Sequence, residues 1–339
     1  MRNIVCFGFI GLFVLVGFLQ PAAAGPFRAK TMRGDWPTSR AHRDFTLPKG
    51  WSQVGVTVEH KSSTGVRGAD GSVLPLDGRA RWNYGRMSLD LDHGFSKHFH
   101  IYLRFPWVRA HFRTVNEQAI STIAFGDAHA GLWIQPWIGK RWAAALRLDL
   151  KAPSGLDWPS DSTGQPNQVT GFLTGTGLTN LGLNLHGKIR VADPFAMALH
   201  VGYTFKFPAI VGYVVEVGGF GNGRLDAGDS VDVDFSLLVQ PHRVVSIQAK
   251  LRFSRRGAYR IGAAGPGLKW QDPTTIMDPG YFLDVLGDVT IEPSQHVEVS
   301  VLAGYQVLGT DTRTFALLGL EEFSPQPGLD LGLRVRARW

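Results

Sequence analysis

The stretch Phe195-Ala196-Met197-Ala198-Leu199-His200-Val201-Gly202-Tyr203-Thr204-Phe205-Lys206-Phe207 decides the fold class. Every odd-numbered residue in it is apolar, and every even-numbered one is small or polar. Side chains two apart share one face of a strand, so this period predicts a strand with one wholly apolar face. A helix would need the apolar positions three and four apart.

The pattern recurs along the chain. Val231, Val233, Phe235, Leu237 and Val239 alternate with Ser230, Asp232, Asp234 and Ser236. Val245 to Phe253 does the same against Ser246, Gln248, Lys250 and Arg252, and Val297 to Val307 against Glu298, Ser300, Gly304 and Gln306. A soluble sandwich or a lipocalin-like barrel turns its polar face to water or to a small ligand. Here that face is rich in Gly, Ala and Ser, and the alternation runs through about twelve segments. Lipid satisfies no backbone group, so a membrane is crossed by strands only in a closed barrel, with segments of roughly 9–11 residues, apolar outward and polar inward. The expected class is therefore all-β: a transmembrane antiparallel up-and-down β-barrel of about 12 strands.

The expected strands lie near 51–61, 80–94, 98–110, 124–137, 141–152, 177–190, 195–207, 229–240, 244–255, 281–292, 296–308 and 328–339. Alternate connections are short: Phe95–Lys97, Ile138–Lys140, Val191–Pro194, Pro241–Arg243 and Pro293–Gln295. The others, 62–79, 111–123, 153–176, 208–228, 256–280 and 309–327, are long. Short periplasmic turns and long extracellular loops are the outer-membrane arrangement. An even count returns both termini to the periplasmic side; ten or fourteen strands fit if one segment has been split or merged.

Composition agrees. Charged residues make up 19% and the chain has 41 Gly, so charge is below and glycine above the soluble average. Near the start, Arg2, an apolar run from Ile4 to Leu19 and the sequence Gln20-Pro21-Ala22-Ala23-Ala24 read as a secretory signal peptide cleaved near Ala24. The expected organisation is a leader over residues 1–24, a polar segment over 25–50 and a barrel over 51–339. The single Cys6 falls in the leader, so the exported chain would form no disulfide. The formal charge is +7, but Lys and Arg are scattered singly and form no nucleic-acid patch.

The last strand alternates Leu329, Leu331, Leu333, Val335, Ala337 and Trp339 with Asp330, Gly332, Arg334, Arg336 and Arg338. An amphipathic strand ending on an aromatic resembles the signal read by the outer-membrane barrel assembly machinery, which makes that machinery and outer-membrane lipid expected partners through Trp339. Trp137, Trp142, Phe99 and Phe195 flank short turns, where an aromatic girdle would sit.

Leu91-Asp92-His93-Gly94-Phe95-Ser96-Lys97-His98-Phe99 with Leu103-Arg104-Phe105-Pro106-Trp107-Val108 forms a two-strand unit. Phe125-Gly126-Asp127-Ala128-His129-Ala130-Gly131 with Leu148-Asp149-Leu150-Lys151-Ala152-Pro153-Ser154-Gly155 forms another. These resemble units of barrels assigned to the phenol-degradation meta-pathway family, which is related to FadL-like transporters of hydrophobic compounds. His93 stands where Tyr is usual there, and Ala152-Pro153-Ser154 where Leu-Pro-Thr is usual. The resemblance implies passive uptake of small hydrophobic or aromatic compounds across the outer membrane of a Gram-negative bacterium. It also implies that residues 25–50 could fold into the lumen as a plug; the alternative is a periplasmic tail.

Strand parity aims Arg104, Arg147, Lys151, His200, Lys250, Arg252, Arg334 and Arg336 into the lumen as candidate solute contacts. Asp232, Asp234, Asp284 and Asp288 lie where they could offset Lys250 and Arg252. Pro106 can donate no ladder hydrogen bond, so a sideways opening could sit beside it. The apolar connection Phe207–Val215 is a candidate collecting patch, and Gly219–Gly223 reads as a flexible loop. His98 and His100 read as rim residues beside a turn.

No catalytic residue, metal site or cofactor is expected. The exported chain lacks a Cys nucleophile, a Gly-x-Ser-x-Gly elbow and a His-x-x-x-His pair with a nearby Glu. The function classes left open are a channel for small apolar molecules, a structural or surface-interaction barrel with a plugged lumen, and a small-anion channel.

Overall fold

The computed structural model describes residues 40–63, 65–67, 73–75, 81–113, 119–155, 178–192, 194–215, 219–263, 274–277, 279–310 and 328–339. The expected leader with its cleavage point, and residues 25–39 of the polar segment, lie outside the described residues.

Twelve antiparallel strands close into one barrel. They are β1 (Ser52–Ser63), β2 (Arg81–Ser96), β3 (Phe99–Arg113), β4 in two pieces (Ala119–Phe125 and Ala128–Ile138), β5 (Trp142–Ala152) and β6 (Asn180–Ala192). The second half is β7 (Phe195–Lys206), β8 (Ser230–His242), β9 (Val245–Arg256), β10 (Gly280–Ser294), β11 (Val297–Thr310) and β12 (Gly328–Arg338). Each strand pairs with its neighbours in sequence. The last returns to the first, in register from Gln53 opposite Arg338 to Ser63 opposite Gly328. Closure leaves no sheet edge, the condition that hydrocarbon imposes on any backbone spanning it. The five short turns lie at the end that carries Ser52 and Trp339, which exchange two backbone hydrogen bonds of 2.8 and 3.0 Å.

Alternation sets the two faces. On β6, Leu181, Leu183, Leu185 and Ile189 lie exposed on the outside, while Asn180 and Asn184 are buried inside. The same division holds on β7, β9 and β12. One bulge alters the parity usefully. Between Ile134 and Trp137 the register of β4 against β5 shifts, so Gln135 points inward and Trp137 outward despite their spacing of two. Trp137 then stacks on Trp142, with centroids 4.5 Å apart, beside the short turn where a girdle residue belongs.

The structure departs from the sequence reading above the barrel. Three of the long connections are not wholly irregular: Gly65–Arg67 pairs with Val73–Pro75, and Ala209–Val215, Gly219–Ala227, Tyr259–Ala263 and Thr274–Met277 pair into a separate four-stranded sheet. The Gly219–Gly223 cluster is thus part of a paired strand, not a flexible loop, with Gly219 opposite Val215 and Gly223 opposite Val211. The Ala209–Val215 segment, expected as an apolar patch, is the first strand of that sheet. β2, β3 and β10 run 16, 15 and 15 residues, longer than a bilayer needs, so they continue beyond the hydrocarbon.

Leu185 stands midway along β6 on the outer face. Leu185→Arg places a charge near the bilayer centre and is expected to lower the unfolding free energy by about 2–4 kcal/mol. Denaturant titration of the refolded barrel in lipid vesicles measures this.

Candidate functional site

Inside the barrel is a cavity of about 900 Å³. Its wall is assembled from the inward residues of nearly every strand, and its floor from the N-terminal segment just before β1. Arg104, Arg147, Lys151, His200, Lys250, Arg252 and Arg336, all placed in the lumen by parity, line it. Arg334 lies on the same strand face as Arg336 and donates to Ser300 Oγ at 3.2 Å.

The charges form clusters that follow directly from register. On β11, Glu298 is opposite Arg336 of β12 and only 1% exposed. It receives Arg334 at 3.5 Å and Arg336 at 3.2 Å, and Arg338 donates to its other oxygen. Three guanidiniums therefore converge on one carboxylate. On the far wall His200, Asp234 and Arg252 stand directly opposite one another across β7, β8 and β9. Asp234 accepts from Arg252 at 3.0 Å and Lys250 at 3.4 Å, with His200 Nδ1 at 3.2 Å, as the acidic positions of β8 were expected to do. Arg104 pairs with Asp90 at 2.6 Å. Lys151 is buried against the fully buried Asp127 at 3.2 Å.

Small inward residues make some of these contacts possible. Tyr102 of β3 donates to Asp149 of β5, reaching over the strand between them. Gly131 of β4 lies opposite both Tyr102 and Asp149, and a Cβ there would fall 2.1 Å from the Tyr102 ring. Asp149 also accepts from Arg147 at 2.8 Å and Asn184 at 2.7 Å. In the same way the buried Ala145 on β5, opposite His186, lets His186 of β6 meet Trp133 of β4 with ring centroids 4.6 Å apart. His186 stacks in turn on His200 at 4.4 Å and 16°. Trp133 also lies 5.9 Å from His100 and carries Arg147 5.2 Å over its ring. An aromatic shelf thus runs through His100, Trp133, His186 and His200.

Residues 40–47 enter the lumen at the short-turn end. Arg40 donates to Ser246 Oγ at 2.8 Å, and its backbone N–H to Gln240 Oε1 at 2.7 Å. Arg43 pairs with Glu292 at 2.5 Å, the carboxylate that also takes Arg338 at 3.1 Å. Burial lowers the affinity of the Arg43 guanidinium for its proton, and Glu292 offsets part of that. The side-chain oxygen of Gln135 accepts the N–H groups of Phe45 and Thr46 at 2.8 and 3.2 Å. The chain then turns out to β1 past Gly94, where a Cβ would lie 2.3 Å from the Pro48 carbonyl oxygen. Glycine is required at that crossing.

Two residues differ from their expected settings. Pro106 is buried on the inner side, opposite a bulge at which Gly126-Asp127-Ala128 face Phe105-Pro106. The Gly126 N–H donates to the Pro106 carbonyl oxygen at 2.8 Å, bridging that seam. His100, expected at the rim, is buried in the wall with Nε2 3.2 Å from Asp92. His98 does sit at its turn, with Nδ1 2.7 Å from the Gln135 carbonyl oxygen. Trp133 and Gln135 were not read as lumen residues; their parity with His129 is the signal that finds them. Among the described residues no group of three or more His, Cys, Asp and Glu could hold a metal ion.

The chain matches no family model and no curated protein sequence. Its fold is similar to that of the solved COG4313 outer membrane channel from Pseudomonas putida F1, with a TM-score of 0.64 and 13% identity, over 87% of this chain and 97% of that one. The beta domain of the Bordetella autotransporter BrkA gives a TM-score of 0.48 at 7% identity, over 86% and 100%. The TodX monoaromatic hydrocarbon channel gives 0.44 at 10%, over 86% and 90%. The first likeness places this barrel in the twelve-strand outer-membrane fold.

Glu298→Gln leaves three neighbouring guanidiniums without their shared carboxylate. Removing one member of a buried ion pair costs about 3–5 kcal/mol, so the variant is expected to refold with a correspondingly lower denaturant midpoint. Conservative Ser300→Ala, which removes a neutral hydroxyl beside it, is expected to cost about 1 kcal/mol.

Proposed function

We propose that this protein is an outer-membrane channel for passive passage of small solutes, and that its interior favours anions. One observation carries the reading. Among the described residues, thirteen Arg and Lys line the cavity against seven Asp and Glu, and four further carboxylates, Glu59, Asp127, Asp288 and Glu292, pair with those cations from behind the lining, which leaves thirteen against eleven. Rings of Arg and Lys in a narrow pore favour anions, because the low-dielectric wall strengthens the field that a net positive lining sets up. The surplus has local sources, in the three arginines around Glu298 and the two cations around Asp234.

The hydrocarbon route implied by the family resemblance finds less support in this wall. Its inward positions are mostly charged or polar, and the seam at Pro106 is bridged by the Gly126 N–H. A solute leaving sideways there would have to break that hydrogen bond. The plugged, structural reading has residues 40–47 in its favour, since they cross the short-turn end. A segment held largely by side-chain pairs can be displaced, whereas a strand in the ladder cannot, so these residues are read as a movable floor. Location in the outer membrane after export, contact with its lipid, and delivery by the barrel assembly machinery through the exposed Trp339 belong to the same proposal.

Chloride efflux from liposomes tests it. The reconstituted chain should release chloride faster than protein-free liposomes do. Lys250→Glu combined with Arg252→Glu reverses the sign beside Asp234 and is expected to slow efflux by about tenfold. Equal efflux from variant and parent, or none from either, overturns the reading.

A further inference from the structure

We infer that the lumen contains a subsite for an aromatic carboxylate, and that the chain fills it with its own Asp44-Phe45 pair. The inference rests on the channel reading above and narrows it to a class of solute.

Phe45 is packed where a small aromatic molecule would be held. Its ring lies parallel to Trp133, at 6.0 Å and 12°, and 5.7 Å from His186. The Lys188 ammonium stands 5.3 Å from the centroid of the same ring. Beyond Trp133 and His186 the shelf continues to His200. His186 Nε2 is buried there and has no hydrogen-bond partner, so a polar group on a bound molecule has a contact still to make.

The residue before Phe45 supplies the anion. Asp44 Oδ1 is 3.1 Å from Arg190 Nη2, and Gln135 Nε2 lies 3.4 Å from the same oxygen. Lys188 donates to the Arg43 carbonyl oxygen. Three consecutive residues of the floor thus offer a carbonyl, a carboxylate and a phenyl ring to two cations and an aromatic face. An aromatic acid of benzoate type carries the ring and the anionic oxygens in one molecule. A neutral hydrocarbon could cover Trp133 but would give Lys188 no acceptor in place of the Arg43 carbonyl and Arg190 Nη2 none in place of Asp44, which is costly in a partly buried site. A simple inorganic anion could reach the cations but would leave the shelf uncovered.

Competition between solute and segment follows. Phe45 is tethered seven residues before the start of β1, so it is present at high local concentration and masks the subsite. A solute that takes the Trp133 face displaces Phe45, and with it the floor of the lumen. Entry of the right solute then opens its own way out, while the channel stays narrow to others.

The test is calorimetric titration of the refolded full chain in detergent micelles with sodium benzoate, benzyl alcohol and sodium acetate. Benzoate should bind saturably and at least about tenfold more tightly than either control. Phe45→Ala removes the tethered competitor and should tighten benzoate binding by about tenfold, a gain that misfolding cannot produce. Lys188→Met should weaken it. Benzoate binding no tighter than acetate, or unchanged in Phe45→Ala, overturns the subsite. Chloride efflux measured on the same preparations separates the two claims: efflux without benzoate preference removes the subsite alone, and benzoate preference without efflux removes the channel reading while upholding the subsite.

Discussion

Hydrocarbon offers a polypeptide no hydrogen-bond partner, and the rest of this structure follows from that constraint. Every spanning backbone group must be paired by a neighbouring strand, so the sheet closes, with β12 returning to β1. Closure forces each strand to show one face to lipid and the other to the lumen. Leu, Val and Phe fill the first face, and the second receives the ion pairs centred on Asp90, Asp234 and Glu298. The polar interior is therefore a consequence of the closed sheet, and its details are where function can reside.

A charged interior is stable only if its ions are matched, since an isolated charge away from water is costly. Register supplies most of the matching here. His200, Asp234 and Arg252 meet because β7, β8 and β9 bring them level, and Glu298 meets Arg336 for the same reason. The matching is incomplete in one direction, with arginine and lysine in excess, and that imbalance is the physical basis for proposing an anion path. The floor formed by residues 40–47 uses the same chemistry. Arg43 shares Glu292 with Arg338, and Asp44 joins Arg190, so the segment docks through ion pairs that a charged solute can exchange.

Much of the barrel was legible in the sequence because a period of two is a local signal. The strands around Phe195–Phe207 and Ser230–Gln240 declare both their direction and their inward residues without reference to any partner. Arg104, Lys250 and Arg252 were placed in the lumen by parity alone, and they are there. Features that depend on a neighbour were not legible. The bulge between Ile134 and Trp137, which breaks the parity that Gln135 still keeps and so turns Trp137 out, has no signature beyond Pro136. The contacts that skip a strand, Tyr102 to Asp149 over Gly131 and Trp133 to His186 over Ala145, appeared only as an unexplained richness in small inward residues. The second sheet was missed because Gly219–Gly223 lacks side chains that could show alternation. For the segment before β1 the sequence left plug and tail open. Arg43, Asp44 and Phe45 gain meaning only when opposite Glu292, Arg190 and Trp133.

The reversal potential of the reconstituted chain in a planar bilayer under a KCl gradient tests the central claim most directly. Surplus cations along the lumen should make chloride the favoured ion, with the reversal potential displaced toward the chloride equilibrium value. A displacement toward the potassium value, or a bilayer that carries no current, would contradict the account.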